Sequence, residues 1–326
     1  MKKAYPYIDF LKMLGLFCIM LAHVNPPQII MQLRNFDVPF MVILSGMLAA
    51  NSTPPYHEYL KKRLARLIVP TWIFLCIYFL VAYFITGQFN IKLIIKSFCF
   101  QQDSIGYVWI IWVYAIAAMM AIPMMSLYKR FGRRFLVSYL LLYTAYEIHV
   151  FFRIGLKSRL LIYTLYYAVP YGLILLMGLI YNSLPKRRRI MIMTGAFLLY
   201  TLLAAVLALR KGTYIYTQQF KYPPRIYWIS YAVGVSFALL MLGEHFDGCA
   251  LFDNPVVRFI GRNTLWIYLW HIPFVGLSSR ITDMWWLRLL IVIICPVFID
   301  FTQIRCVAIA ESVCGIIKPI SRFLRG

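Results

Sequence analysis

YPYIDFLKMLGLFCIMLAHVNPP, residues 5–27, decides how this chain is read. The stretch is long and apolar enough to cross a bilayer, yet it carries Asp9, Lys12 and His23. Lys12 and His23 are eleven residues apart, and at roughly 100° per residue that spacing puts both on one face of a continuous helix. Along the axis they would lie about 16 Å apart, half the thickness of a hydrocarbon core. An ionisable side chain inside a span costs on the order of a few kcal/mol and marks a functional candidate. Snorkelling accounts for Lys12 alone and an interfacial position accounts for His23 alone; neither accounts for three polar groups on one stripe.

The rest of the composition agrees with a membrane protein. Of 326 residues 62% are hydrophobic and 13% are charged, which excludes an ordinary soluble domain. The net charge of +22 is not a nucleic-acid stripe, because it falls in short clusters between apolar runs: KKRLAR at 61–66, KRFGRR at 129–134 and KRRR at 186–189. The seven cysteines form no CxxC pair and suit packing within spans; neither a disulfide framework nor a metal site is expected. The N-terminal run lacks a small-x-small cleavage site before Asn25-Pro26-Pro27, so it reads as a retained first helix.

Apolar stretches at about 7–24, 36–50, 68–86, 107–127, 135–152, 160–181, 190–209, 226–243, 258–277 and 285–305 predict an all-α, polytopic transmembrane helix bundle of about ten spans. The second is short and open to extension by its flanks; the last is interrupted at Cys295-Pro296 and could run on towards Ile317. Residues 1–326 read as a single transmembrane domain with no soluble domain appended. With both termini in the cytoplasm, 20 Lys and Arg fall inside and 12 outside, in keeping with the positive-inside rule. The loop at 210–225 keeps four basic residues on the nominal outer side, against that trend.

Four segments carry a family resemblance. IDFLKMLGLFCIMLAH (8–23) resembles the D-x-x-[RK]-x10-H first helix of the integral-membrane acyltransferase 3 family. VPFMVILSGML (38–48) is similar to its P-x-F-x-x-x-S-G second helix, and YLKKRLARLIVPTW (59–72) to its R-x-x-R-x-x-x-P entry to the third. IGRNTLWIYLWHIPF (260–274) resembles its late I-G-x-x-[ST]-x-x-I-Y-x-x-H-P segment. The resemblance implies about ten helices in the bacterial cytoplasmic membrane. It also implies transfer of an acyl group, acetyl first and succinyl as the alternative, from cytoplasmic acyl-CoA to a hydroxyl of an extracytoplasmic glycan or similar small acceptor. Two departures stand out: lysine at position 12, where many relatives have arginine, and YVWIIWVYAIAAMMAIP at 107–123, which lacks the acidic W-S-L-x-x-E motif of the lipopolysaccharide-modifying branch. Lysine cannot clamp a phosphate or carboxylate in bidentate fashion.

Within that reading the residues take chemical roles. His23, an imidazole that ordinarily titrates near about 6.5, is the candidate general base for the acceptor hydroxyl; an acyl-histidine intermediate is also compatible. His271, along the ninth span, is expected to orient the acyl carbonyl or position the acceptor, or else to be a buried structural histidine. Asp37 is expected either to hold His23 in one tautomer or simply to favour a helix N-terminus. Asp9 and Lys12 form an i, i+3 pair, with Lys12 facing the donor. Arg63 and Arg66 suit the phosphates of coenzyme A. Ser45 is placed to bond a donor amide, although Ser45-Gly46 also fits helix packing, and Trp109 either lines an acyl channel or belongs to an interfacial belt.

On the nominal outer side, Tyr214, Tyr216, Gln218 and Arg225 are candidates for holding a glycan, with Glu147, His149 and Arg153 as a second part of that site. No metal is expected, the lipid bilayer is the solvent, nucleic acid is not a partner, and a homodimer is compatible with the sequence. A transporter or exporter of a glycan or lipid-linked intermediate is the alternative class. It shares the polytopic build and the intramembrane charges, but matched broken-helix pairs are not evident.

Overall fold

The structure is a computed structural model that describes residues 6–50, 52, 54–101, 104–105, 107–152, 159–314 and 318–325, with the backbone alone at 159–163, 314 and 318–320. In chain order the helices are α1 (Pro6–Leu21), α2 (Gln28–Leu33), α3 (Asp37–Ala50), α4 (Tyr56–Thr86), α5 (Ile91–Phe98), α6 (Trp109–Phe131) and α7 (Arg133–Phe151). They continue with α8 (Arg159–Tyr181), α9 (Lys186–Lys211), α10 (Ile226–His245), α11 (Pro255–Arg262), α12 (Thr264–Ile281), α13 (Trp285–Cys314) and α14 (Lys318–Leu324). Helices follow from the solvent: in hydrocarbon every backbone N–H and C=O must be satisfied within the segment.

Among the described residues eight segments are long and apolar enough to cross a membrane. They match eight of the ten stretches expected from sequence. The short second stretch is indeed extended, by α2, to Gln28–Ala50. The remaining two form as α7 and α12, helices of 19 and 18 residues made more polar by groups such as Glu147, His149, His271 and Arg280. The last span runs through Pro296 as one helix to Cys314. Helix α9 has a hydrophobic centre and no buried residue, with Leu198, Leu202 and Leu209 all exposed. Apolar side chains left exposed along a helix in this way call for lipid around that face.

The chain divides into two compact units: residues 1–27, 60–115 and 246–326, and residues 28–59 and 116–245. In the first, α1 packs on α11 and α12, and α12 packs on α13. Gly261 lets α11 approach α1 so closely that a Cβ would run into the Asp9 backbone carbonyl. The tail is pinned by polar contacts: Trp266 Nε1 donates to the Phe323 carbonyl and Gln303 Nε2 to the Leu324 carbonyl, both at 2.7 Å. Gln303 in turn accepts from Trp270 Nε1 at 2.8 Å.

In the second unit α3 lies against α8, and α10 against α9 and α3. The α3–α8 contact is a two-glycine approach. A Cβ on Gly46 would sit 2.7 Å from the Leu175 carbonyl oxygen, and one on Gly178 would collide with the Ile43 carbonyl. Small residues permit such approach, and without a hydrophobic drive between spans that packing is the attraction itself. Arg189 Nη1 donates to both Glu244 carboxylate oxygens, at 2.9 and 2.7 Å, tying α9 to α10. Between them the loop buries Lys221, whose ammonium lies 3.4 Å from Asp37 while Arg34 holds the other oxygen of that carboxylate at 2.5 Å.

Two outcomes follow. Gly178→Ala should destabilise the protein by about 1–3 kcal/mol through overpacking, while Gly195→Ala, where an added methyl meets nothing, should be neutral or slightly stabilising; thermal unfolding in detergent reads both. Burial brings the Lys221 ammonium down to about 8 from its ordinary 10.5, despite the Asp37 carboxylate beside it. The folded state therefore binds fewer protons than the unfolded state between those values, so this group opposes folding below about pH 8 and the cost is lifted as pH rises towards 10.5. The stability difference between wild type and Lys221→Met should shift in favour of wild type from pH 8 to pH 10, as followed by unfolding midpoints.

Candidate functional site

Helix α1 ends at Leu21, and His23 sits in a 3-10 turn, Ala22–Val24, closed by Asn25 in the left-handed conformation at φ 53°. The common face expected for Lys12 and His23 assumed unbroken α-helix; in the structure α1 stops two residues short of His23, which is carried on the 3-10 turn. His23 instead meets His271 of α12: His23 Nδ1 lies 2.9 Å from His271 Nε2. The rings stack at 20° with centroids 5.1 Å apart. His271 is fully buried, and its Nδ1 contacts the Tyr268 carbonyl one turn back.

These contacts assign the protons. A carbonyl only accepts, so His271 Nδ1 carries the hydrogen; in the neutral ring its Nε2 then accepts, and His23 Nδ1 must donate to it. The tautomer so fixed makes Nε2 the basic nitrogen of His23. The Tyr107 ring stands edge-on to both imidazoles, with centroids 4.5 Å from His23 and 5.8 Å from His271, and the Tyr107 carbonyl accepts from Tyr268 Oη at 2.7 Å. Neither Tyr107 nor Tyr268 was singled out from sequence, although Tyr268 lies in the late motif and Tyr107 opens the 107–123 stretch. The i−3 spacing of Tyr268 to His271 was the available signal.

Nearer the start of α1, Lys12 Nζ pairs with Asp9 Oδ1 at 3.1 Å, as the i, i+3 spacing suggested. Asp9 Oδ2 also accepts from Arg262 Nε at 3.2 Å, a second cation the sequence reading did not place. Arg262 belongs to the quoted IGRN segment, and the Gly261 approach is what brings it to α1. Arg63 is half-buried and Arg66 exposed on α4; Trp109 is half-buried at the start of α6. All of these lie in the first unit.

The other candidates lie in the second unit. Of the two roles expected for Asp37, the helix N-terminal one agrees with its place at the start of α3: its carboxylate faces Arg34 and Lys221 and accepts from the Val38 N–H at 2.8 Å. The orienting partner seen on His23 Nδ1 is His271. Ser45 is half-buried next to the Gly46 approach, in the packing surface of α3. The candidate glycan groups are largely tied to one another. Gln218 accepts from Arg34 at 3.4 Å, and Tyr214 and Tyr200 hydroxyls meet at 2.7 Å with Tyr216 edge-on to Tyr214. Glu147 accepts from Arg225 at 3.1 Å, Tyr143 at 2.6 Å and the Ile226 N–H at 2.5 Å, while His149 lies 3.4 Å from Tyr166 Oη. Arg153 lies outside the described residues.

In chemical terms the first unit offers an oriented imidazole, a carboxylate shared by two cations, and aromatic walls. Neither a curated protein nor a solved structure matches the chain. The acyltransferase domain that defines the acyltransferase 3 family matches residues 5–300, across both units. An acyl-transferring enzyme is thereby shown, in place of the transporter alternative, and the chain belongs to the membrane acyltransferase 3 family.

Proposed function

We propose that the protein is an O-acyltransferase, its two units acting as one domain, that moves an acyl group from cytoplasmic acyl-CoA to a hydroxyl of an extracytoplasmic glycan or similar acceptor. Acetyl is the first choice of acyl group and succinyl the second. The proposed topology has both termini in the cytoplasm of a bacterial cell and ten spans, with α7 and α12 as the two more polar ones. The observation that carries the catalytic reading is the His23–His271 contact anchored on the Tyr268 carbonyl.

In the proposed reaction His23 Nε2 takes the acceptor hydroxyl proton as that oxygen attacks the thioester carbonyl. The tetrahedral intermediate collapses with cleavage of the C–S bond. The departing thiolate takes the proton back from the imidazolium, giving the ester and free coenzyme A. His271 is a positioning residue: by accepting from Nδ1–H it holds the ring and stabilises the imidazolium that forms. The Lys12–Asp9–Arg262 group and the arginines Arg63 and Arg66 are assigned to the donor, whose phosphates suit guanidinium and ammonium partners.

Acyl transfer by purified protein in nanodiscs, followed with radiolabelled acetyl-CoA and surface glycan as acceptor, tests this. His23→Ala should lose about 100-fold or more of the rate while remaining folded; near-normal transfer by that variant would remove the base role. His271→Leu should lose on the order of 10–100-fold in kcat and displace the acidic limb of the pH–rate profile, where the base has to lose its proton. His271→Gln, which offers an amide oxygen where Nε2 accepts, should recover most of that loss. Equal damage from Leu and Gln with an unshifted profile would mean that His271 only packs.

A further inference from the structure

Arg288 stands in the first turn of α13 and is only 9% exposed, while Trp286, Leu290 and Ile294 on the same helix are 48–59% exposed. An arginine reaching for lipid headgroups would lie on that outer face. This one is turned into the protein. Its Nε is buried without a hydrogen-bond partner, and among the described residues its guanidinium makes no ion pair and no hydrogen bond. The nearest acidic residue in sequence, Asp283, is exposed and makes no pair with it. Its position on the helix adds to the imbalance, because the first turn already carries the positive end of the helix dipole. An unpaired cation with its Nε buried at that end destabilises the apo protein, and what it is suited to is an anion.

The surroundings say which anion. The Arg288 charge acts on the phenol of Tyr107, and that phenol is also within electrostatic reach of the Tyr78 hydroxyl on α4. The Tyr107 ring in turn packs edge-on against His23 and His271. The 3-10 turn that carries His23 packs against α13, so the Arg288 guanidinium stands on a helix that borders the imidazole pair, with the Tyr107 phenol within its electrostatic reach, all in the first unit. A fork binds two oxygens of one oxyanion side by side, and phenol hydroxyls can supply further donors.

We propose that Arg288, with the hydroxyls of Tyr78 and Tyr107, binds an oxyanion, carboxylate or phosphoryl, carried by the acyl acceptor, so that the enzyme selects acidic acceptors. This rests on the reading that the acceptor hydroxyl reacts at His23. In the proposed topology α13 begins on the side of the membrane where His23 lies, whereas the phosphates of the donor belong with Arg63 and Arg66.

The test uses the full chain in nanodiscs, with glucuronate, glycerol 3-phosphate and glucose as probes and tryptophan fluorescence as the binding signal. Wild type should bind glucuronate or glycerol 3-phosphate saturably and at least tenfold more tightly than glucose; the tighter of the two distinguishes carboxylate from phosphoryl. Arg288→Gln should weaken that binding at least tenfold, and Arg288→Lys less. His23→Ala should leave it within twofold, which separates this site from the base role: loss of activity in His23→Ala is read apart from loss of anion binding in Arg288→Gln. Arg288→Leu should raise the unfolding temperature of the ligand-free protein, since it removes a buried cation that lacks a partner. Equal affinity for glucose and glucuronate, no saturable binding of either acidic probe, or a lowered unfolding temperature in Arg288→Leu would each overturn the proposal. So would displacement of the bound probe by coenzyme A, with coenzyme A affinity falling in Arg288→Gln, because the anion would then belong to the donor.

Discussion

Inside a bilayer a polar group has no water to fall back on, so its partner has to be built into the protein. The His23–His271 contact is the case on which the proposed chemistry depends. Each neutral imidazole has one donor and one acceptor, and the Tyr268 carbonyl accepts only. One proton arrangement of the neutral pair satisfies both contacts, and it fixes the basic nitrogen of His23. The arrangement is held by ordinary packing: Tyr107 wedges both rings, and α12 is secured through Trp266 and Trp270 to the tail and to α13.

The same constraint explains how the remaining charges are distributed. Asp37 is buried against two cations, Asp9 is shared by two, and Glu147 accepts from three donors. The carboxylates of these clusters are paired and join segments that are distant in sequence, which is what structural polar groups do. Arg288 and Asp300 are different. Asp300, fully buried on α13, has no hydrogen-bond partner for either carboxylate oxygen among the described residues. Where a protein satisfies most of its buried polar groups and leaves a few without partners, those few are where local rules yield to function.

The candidate glycan loop shows what residue type alone leaves out. Tyrosines, amides and cations alternating between residues 214 and 225 read as a recognition surface. In the structure Gln218, Lys221 and Arg225 turn inward onto Arg34, Asp37 and Glu147. The positive charge that departs from the positive-inside trend there is used, in good part, to neutralise buried carboxylates. Arg288 was legible only as one more basic residue on the nominal outer side, because burial is not encoded in spacing near a helix end.

By itself the sequence determined the helical architecture, most of the spans, the Asp9–Lys12 pair and the family motifs, including both histidines. These are local properties: hydropathy over some twenty residues sets a span, and helix periodicity sets which neighbours three or four positions apart can meet. Which residues meet across the chain is settled by the fold. His23 and His271 are 248 residues apart, and their hydrogen bond exists because the turn after α1 meets α12. The same holds for Arg262 on Asp9 and for Asp37 with Lys221. Periodicity gives a residue its face; packing between helices gives that face its partner.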